Sequence, residues 1–139
     1  PRQAECIKLA LERADLTPAD IHIINTHATG TKQGDVEECR ALADIFANCA
    51  DTRINNTKSI IGHAMGAAGV LELAANLPSL SDKMVHPTIN VDTLDPDCKL
   101  PGLVTGKAEE RPQIETVLNN SFGMVGINSV VIVKRFVAK

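Results

Sequence analysis

Lys58, His63 and Glu72 share one short stretch, residues 55–72 (NNTKSIIGHAMGAAGVLE), that is otherwise rich in small and apolar residues. Taking an ammonium, an imidazole and a carboxylate out of water in such a segment is costly unless they are paired. Their presence together therefore points to chemistry. A second histidine, His27, directly follows the β-rich run 21–26 (IHIINT) and opens a glycine- and threonine-bearing loop, HATGTKQGD. In open α/β sheets, sites gather beyond the carboxyl ends of strands, which is where His27 would stand. His63 falls at the start of an expected helix. A helix start favours neutral imidazole, able to donate a hydrogen bond. A third loop, NNSFGMVGIN (119–128), has the same glycine-rich character. Singly, each residue has a plainer reading. Lys58 would be a surface charge, Glu72 a solvated helix position, His27 structural, and Thr29 and Thr31 ordinary loop residues. His22 and His86 have no supporting neighbours in the sequence.

The elements that must position these groups alternate between helix and strand. Residues 3–14 form an amphipathic pattern, with Ala4, Ile7, Leu11 and Ala14 on one face. The run 21–26 is apolar on both faces, as a buried parallel strand should be. A helix is expected from Asp35 to about Asn48, its apolar face made by Val36, Cys39, Ala43, Phe46 and Ala50. Asp35, Glu37 and Glu38 in its first turn complement the positive helix end. Residues 53–55 are a brief strand. A long helix over 62–80 follows, apolar on most faces and so expected to be buried on all of them. Residues 86–90 (HPTIN) are extended because Pro87 disfavours helix before it, and 103–105 are a short strand. The last strands, 116–121 and 129–136, flank a glycine-bearing turn and could form a hairpin. This order gives an α/β fold.

Composition narrows the function classes. The chain has 139 residues, 44% hydrophobic and 22% charged, with a net charge of −3. That suits one folded domain and argues against disorder. The basic residues are scattered, so no stripe is available to neutralise phosphates and no nucleic-acid partner is expected. There are three Phe, no Tyr and no Trp, which removes stacking platforms. The four cysteines, Cys6, Cys39, Cys49 and Cys98, form no Cys-x-x-Cys pair, and no metal site is expected. Cys39 and Cys49 read as core residues. The stretch 60–80 has the length of a membrane span, but a carboxylate at Glu72 would be expensive in lipid. With no secretion signal in the opening residues, a cytoplasmic setting is expected.

Taken together, the motifs are far more specific than any member. The chain resembles the elongating β-ketoacyl-acyl carrier protein synthases, the condensing enzymes of fatty-acid and polyketide synthesis. Asn25–Glu38 (NTHATGTKQGDVEE) follows that family's N-A-H-G-T-x-T-x-x-G-D-x-x-E pattern. Thr57–Glu72 meets T-K-S-x-x-G-H-x-x-G-A-A-G-x-x-E in full. Asn120–Asn128 (NSFGMVGIN) partly meets N-S-F-G-F-G-G-x-N, and HPTIN is similar to P-P-T-I-N. The resemblance implies a thiolase-like fold of two α/β halves, usually in a homodimer. This chain corresponds to the C-terminal half: a mixed sheet with packed helices, one of them long and buried. The first strand of that half and the whole N-terminal half, with the nucleophilic cysteine, would precede Pro1.

The implied reaction is a decarboxylative Claisen condensation. An acyl group rests on the cysteine, a malonyl thioester on a carrier protein loses carbon dioxide, and the resulting carbanion attacks the acyl carbonyl. His27 and His63 would be the two catalytic histidines, their N–H groups aimed at the enolate oxygen. A preorganised donor of this kind is typically worth about 3 kcal/mol. Lys58 would keep the histidines neutral, with Glu72 compensating it. Thr29 and Thr31 match residues that contact the phosphopantetheine arm of the acyl carrier protein; no other cofactor is implied. Phe122, Gly123 and Met124 match the oxyanion and gating loop. Several positions depart from the family: Ala28 stands for Gly, Met124 for Phe, Val125 for Gly and Ile127 for Thr. Val125 should stiffen the loop, because Val tolerates positive φ poorly. Alone, the chain is expected to be inactive. The alternative is a non-catalytic, chain-length-factor-like partner in a ketosynthase heterodimer.

Overall fold

The computed structural model describes residues 2–138. Helix α1 (Arg2–Arg13) has Ile7 and Leu11 buried one turn apart, as its spacing predicts. Strand β1 (Ile23–Asn25) is fully buried. Helix α2 runs Lys32–Phe46, so it begins a turn before Asp35. Gly34 makes this possible: a Cβ there would lie 2.6 Å from the Thr31 hydroxyl. The inward face of α2 is Glu38, Leu42 and Phe46, rotated from the expected Val36–Cys39–Ala43 stripe. Glu38 is drawn inward by three hydrogen bonds that an apolar periodicity does not register.

Strand β2 (Arg53–Asn55) leads into a four-residue helix, α3 (Lys58–Ile61). The long helix expected over 62–80 is not continuous. Gly62 turns at φ +77 and Met65 at φ +50, so helix α4 spans only Ala68–Asn76. A separate turn of helix, α5 (Ser79–Asp82), follows Pro78. Nor is α4 buried all round. Its buried positions are Ala68, Glu72 and Asn76, while Val70 is 73% exposed. Apolar composition alone does not say which face packs when the buried partners are polar.

Strands β3 (Met84–Val85) and β4 (Glu109–Glu110) pair antiparallel as a small separate ribbon. Residues 88, 103 and 105 make only isolated bridges, where short extended segments were expected. Strands β5 (Thr116–Phe122) and β6 (Asn128–Lys134) form the expected hairpin. The main sheet has the order β2-β1-β5-β6, with β1 parallel to both β2 and β5, and β6 an antiparallel edge. Its two faces carry separate cores. Ile24, Ile54 and Leu118 pack against Ile7, Leu11, Leu42 and Phe46 from α1 and α2. Ile23 and Val117 pack on the other side with Val85, Val104 and Ile114. Period-two alternation sends adjacent residues of β1 and β5 to opposite layers. β1 and β2 end together at Asn25 and Asn55 and lead into His27 and Lys58, while β5 runs three residues past their partner Asn119 to end at Phe122.

Candidate active site

The floor of the site is a row of asparagines across the sheet at the level where β1 and β2 end. Asn55, Asn25 and Asn119 are register neighbours on β2, β1 and β5, and all are buried. Asn25 Nδ2 donates to Asn55 Oδ1 and to Thr57 Oγ1, both at 2.8 Å. Asn55 Nδ2 donates to Asn76 Oδ1 at 2.9 Å. Asn76 Nδ2 donates to Thr57 Oγ1 at 3.1 Å and to the Glu72 carbonyl at 2.9 Å. Buried amides must be paired, and here the pairing ties α4 to the sheet.

Above this floor lies the Lys58–Glu72 ion pair, with side chains 4% and 1% exposed. Apart from that contact, neither charged group has a hydrogen-bond partner among the described residues. A buried pair contributes little net stability, because desolvation offsets the attraction. Its effect is to fix a positive charge beside the histidines. Burial, then the Lys58 ammonium and then His63, hold the His27 pKa down to about 4. His27 is therefore neutral at pH 7. Its ring meets His63 edge-on, with centroids 5.8 Å apart and planes at 86°, and lies 5.9 Å from Phe122.

His63 does not open a long helix. It stands in the turn between α3 and α4, and the Met65 N–H donates to its Nδ1 at 3.3 Å. In the neutral ring that bond puts the proton on Nε2. The His27 loop is bracketed by two carboxylates of α2. Glu38 accepts from the His27 and Ala28 N–H groups at 2.9 and 2.8 Å and from Asn120 Nδ2 at 2.9 Å. Asp35 accepts from the Thr29 N–H at 3.1 Å. Burial raises both carboxyl pKa values, and these hydrogen bonds oppose it.

Two clefts flank the loop. One, of about 700 Å³, joins His27, Thr29 and Thr31 to Phe122, Gly123 and Met124. The two threonine hydroxyls lie 3.2 Å apart. The other, of about 540 Å³, is lined by Thr29, Lys58 and His63 and by residues 88–91 and 93–95. Glu72 lines neither cleft; its carboxylate pairs with Lys58. Met124 is 85% exposed, and Val125 adopts φ +61, the left-handed conformation that a β-branched side chain resists. The thiols are poorly suited to nucleophilic attack, since burial raises all four pKa values, Cys39 most of all.

Sequence reasoning singled out the charged groups but missed the polar frame around them: Asn25, Asn55, Asn76, Thr57, Glu38 and His86. The one available signal was the recurrence of asparagine where β1 and β2 end. Other buried side-chain atoms have no hydrogen-bond partner among the described residues: Asn25 Oδ1, Thr88 Oγ1, Asn119 Oδ1 and Asn120 Oδ1. Among the described residues, no cluster of three or more His, Cys, Asp or Glu has the arrangement of a metal site, and no helix is long and apolar enough to cross a membrane.

A strand-end site of this kind, on a mixed sheet covered by helices, defines a class that comparison makes specific. Residues 1–92 match the model of the β-ketoacyl synthase C-terminal domain. The chain is 39% identical over 133 residues to 3-oxoacyl-[acyl-carrier-protein] synthase I, chloroplastic, of Hordeum vulgare, covering 96% of this chain and 28% of that protein. It is 39% identical over 131 residues to 3-oxoacyl-[acyl-carrier-protein] synthase 1 of Haemophilus influenzae, covering 94% and 31%. The solved ishigamide ketosynthase/chain length factor superposes with a TM-score of 0.89 at 36% identity, covering 96% of this chain and 32% of that one. A type II PKS acyl-carrier protein in complex with its ketosynthase gives 0.89 at 35%, covering 98% and 34%. The chain belongs to the β-ketoacyl synthase C-terminal domain family, with the thiolase-like fold of these ketosynthases. It spans about a third or less of the length of these relatives.

Proposed function

We propose that this chain is the enolate-stabilising half of a 3-oxoacyl-[acyl carrier protein] synthase. The observation that carries this reading is the edge-on pair of His27 and His63, with His27 held neutral over a buried Lys58–Glu72 pair. Decarboxylation of a malonyl thioester leaves negative charge on the thioester oxygen. The neutral His27 imidazole can offer an N–H to it without releasing a proton, and the His63 ring beside it offers a second. For His63 that donor is Nε2–H, since Nδ1 accepts from Met65. A neutral His27 does not hand its proton to the carbanion, which stays free to attack the acyl carbonyl.

The acyl group is carried on a cysteine supplied by the N-terminal half of the enzyme, since the chain's own thiols are held protonated. Thr29 and Thr31 receive the pantetheine arm of an acyl carrier protein in the cleft that ends at Met124. The Met124 N–H completes the oxyanion hole, and its side chain gates the acyl pocket. The apolar face of α4 is covered in the complete enzyme, which is a dimer. Residues 1–139 alone condense nothing.

In the full-length enzyme, His27→Ala and His63→Ala should each lower malonyl decarboxylation by about 10²–10³-fold. Wild-type rates from either folded variant would refute the reading, as would turnover of acyl and malonyl carrier proteins by residues 1–139 alone. A chain-length-factor-like partner has no use for the histidine pair; in that case neither substitution would change the rate of the complex.

A further inference from the structure

We infer that His86 is a positioning residue: as the Nδ1–H tautomer it is the terminal acceptor that gives the buried Thr57–asparagine network its direction. The inference follows from counting donors and acceptors at one hydroxyl. Thr57 Oγ1 has one proton to give and two lone pairs. Asn25 Nδ2 and Asn76 Nδ2 donate to it at 2.8 and 3.1 Å, which fills both lone pairs. The amides are oriented in series: the Glu72 carbonyl fixes Asn76 Nδ2, Asn76 Oδ1 then accepts from Asn55 Nδ2, and Asn55 Oδ1 in turn accepts from Asn25 Nδ2. The hydroxyl proton must then go to the third neighbour, His86 Nε2, at 2.9 Å.

That ring nitrogen must therefore be unprotonated. The other, Nδ1, lies 3.1 Å from the Pro87 carbonyl, which can only accept. The Nδ1–H tautomer satisfies both contacts, the imidazolium only the one to Pro87, and the Nε2–H tautomer neither. In the imidazolium, Nε2–H would face the Thr57 proton, and the hydroxyl could not turn away without meeting an amide N–H. Burial disfavours that cation, and only the Pro87 carbonyl opposes it.

The consequence reaches the site because Thr57 immediately precedes Lys58, and Asn76 and Glu72 lie one turn apart on α4. His86 thus stands one hydrogen bond from the residue that precedes Lys58. It acts through Thr57 and touches neither histidine of the site.

The tautomer itself is the first test, and it stands apart from the proposed function. In ¹⁵N-histidine spectra of the intact protein, His86 should show a protonated Nδ1 and an unprotonated, hydrogen-bonded Nε2. The Nε2–H tautomer, or the imidazolium at pH 7, would overturn the inference. The second test compares His86→Gln, whose amide carbonyl can still accept from Thr57, with His86→Leu, which cannot. In the full-length enzyme the leucine variant should lose several-fold in kcat with KM little changed, and the glutamine variant should recover most of it. Equal kcat in both variants would show that the acceptor is not what matters. If His27→Ala and His63→Ala left the reaction untouched, the functional reading would fail, while the tautomer result would still decide this one.

Discussion

Helices α1 and α4 are both amphipathic, but they are turned opposite ways. α1 buries Ile7 and Leu11 against the sheet and leaves its charges in water. α4 buries Glu72 and Asn76 and leaves Val70 and Leu71 exposed. The first arrangement is what hydrophobic burial dictates. The second is stable only because every buried polar group but a few oxygens is matched: Glu72 by Lys58, and Asn76 by Asn55 and Thr57. α1 thus serves the fold, and α4 serves the site.

The sharpest way to break this comparison is to remove half of the ion pair. Lys58→Met should cost about 3–5 kcal/mol by urea unfolding, because it strands the Glu72 carboxylate. Replacing both, Lys58→Met with Glu72→Leu, should restore most of that loss, yet the His27 pKa should rise from about 4 because the ammonium that opposes its protonation is gone. If the double variant is as unstable as the single one, α4 is held by something other than charge matching.

On the other helix, Leu11→Ala should cost about 2–5 kcal/mol through lost burial and the cavity left behind. It should leave the His27 titration where it was. A shifted titration would mean that core and site are not separable.

A smaller effect is expected from pH. The folded pKa of His27 lies below the ordinary 6.5, at about 4, so the unfolded chain takes up the proton first. The stability this contributes is whole above pH 6.5 and is lost as pH falls from 6.5 towards 4. His27→Gln should flatten that part of a melting-temperature profile; an unchanged slope would contradict the assigned direction.

The smallest effects belong to the exposed apolar residues. Val70→Ser should change monomer stability by less than about 0.5 kcal/mol. Val125→Gly should stabilise by up to about 1 kcal/mol, by relieving the left-handed strain at φ +61. A large loss from Val70→Ser would show that this face is covered within the chain itself.

Much of the fold was legible in the sequence because its signals are local. The 3.6-residue repeat gives α1, and the β-rich runs give β1, β5 and β6. Glycine and proline mark most of the breaks, although Gly62 and Pro78 were passed over in favour of an uninterrupted apolar helix. The motif spacing gave His27, Lys58, His63 and Glu72, and it led to the family that comparison establishes. Val125 adopts the positive φ that a valine tolerates poorly.

What the sequence could not order was the set of contacts between residues far apart in the chain. Glu38 reaches Asn120, and Asn55 reaches Asn76; Thr57 reaches His86. These hydrogen bonds turned α2 by one face, turned α4 inside out, and gave a role to a histidine that had none on paper. Residue type and spacing determine which groups are available for chemistry and which local segments form. Only the tertiary structure decides which buried polar groups find partners, because that depends on strand register and helix packing, and partner satisfaction outweighs apolar periodicity once a polar group has left water.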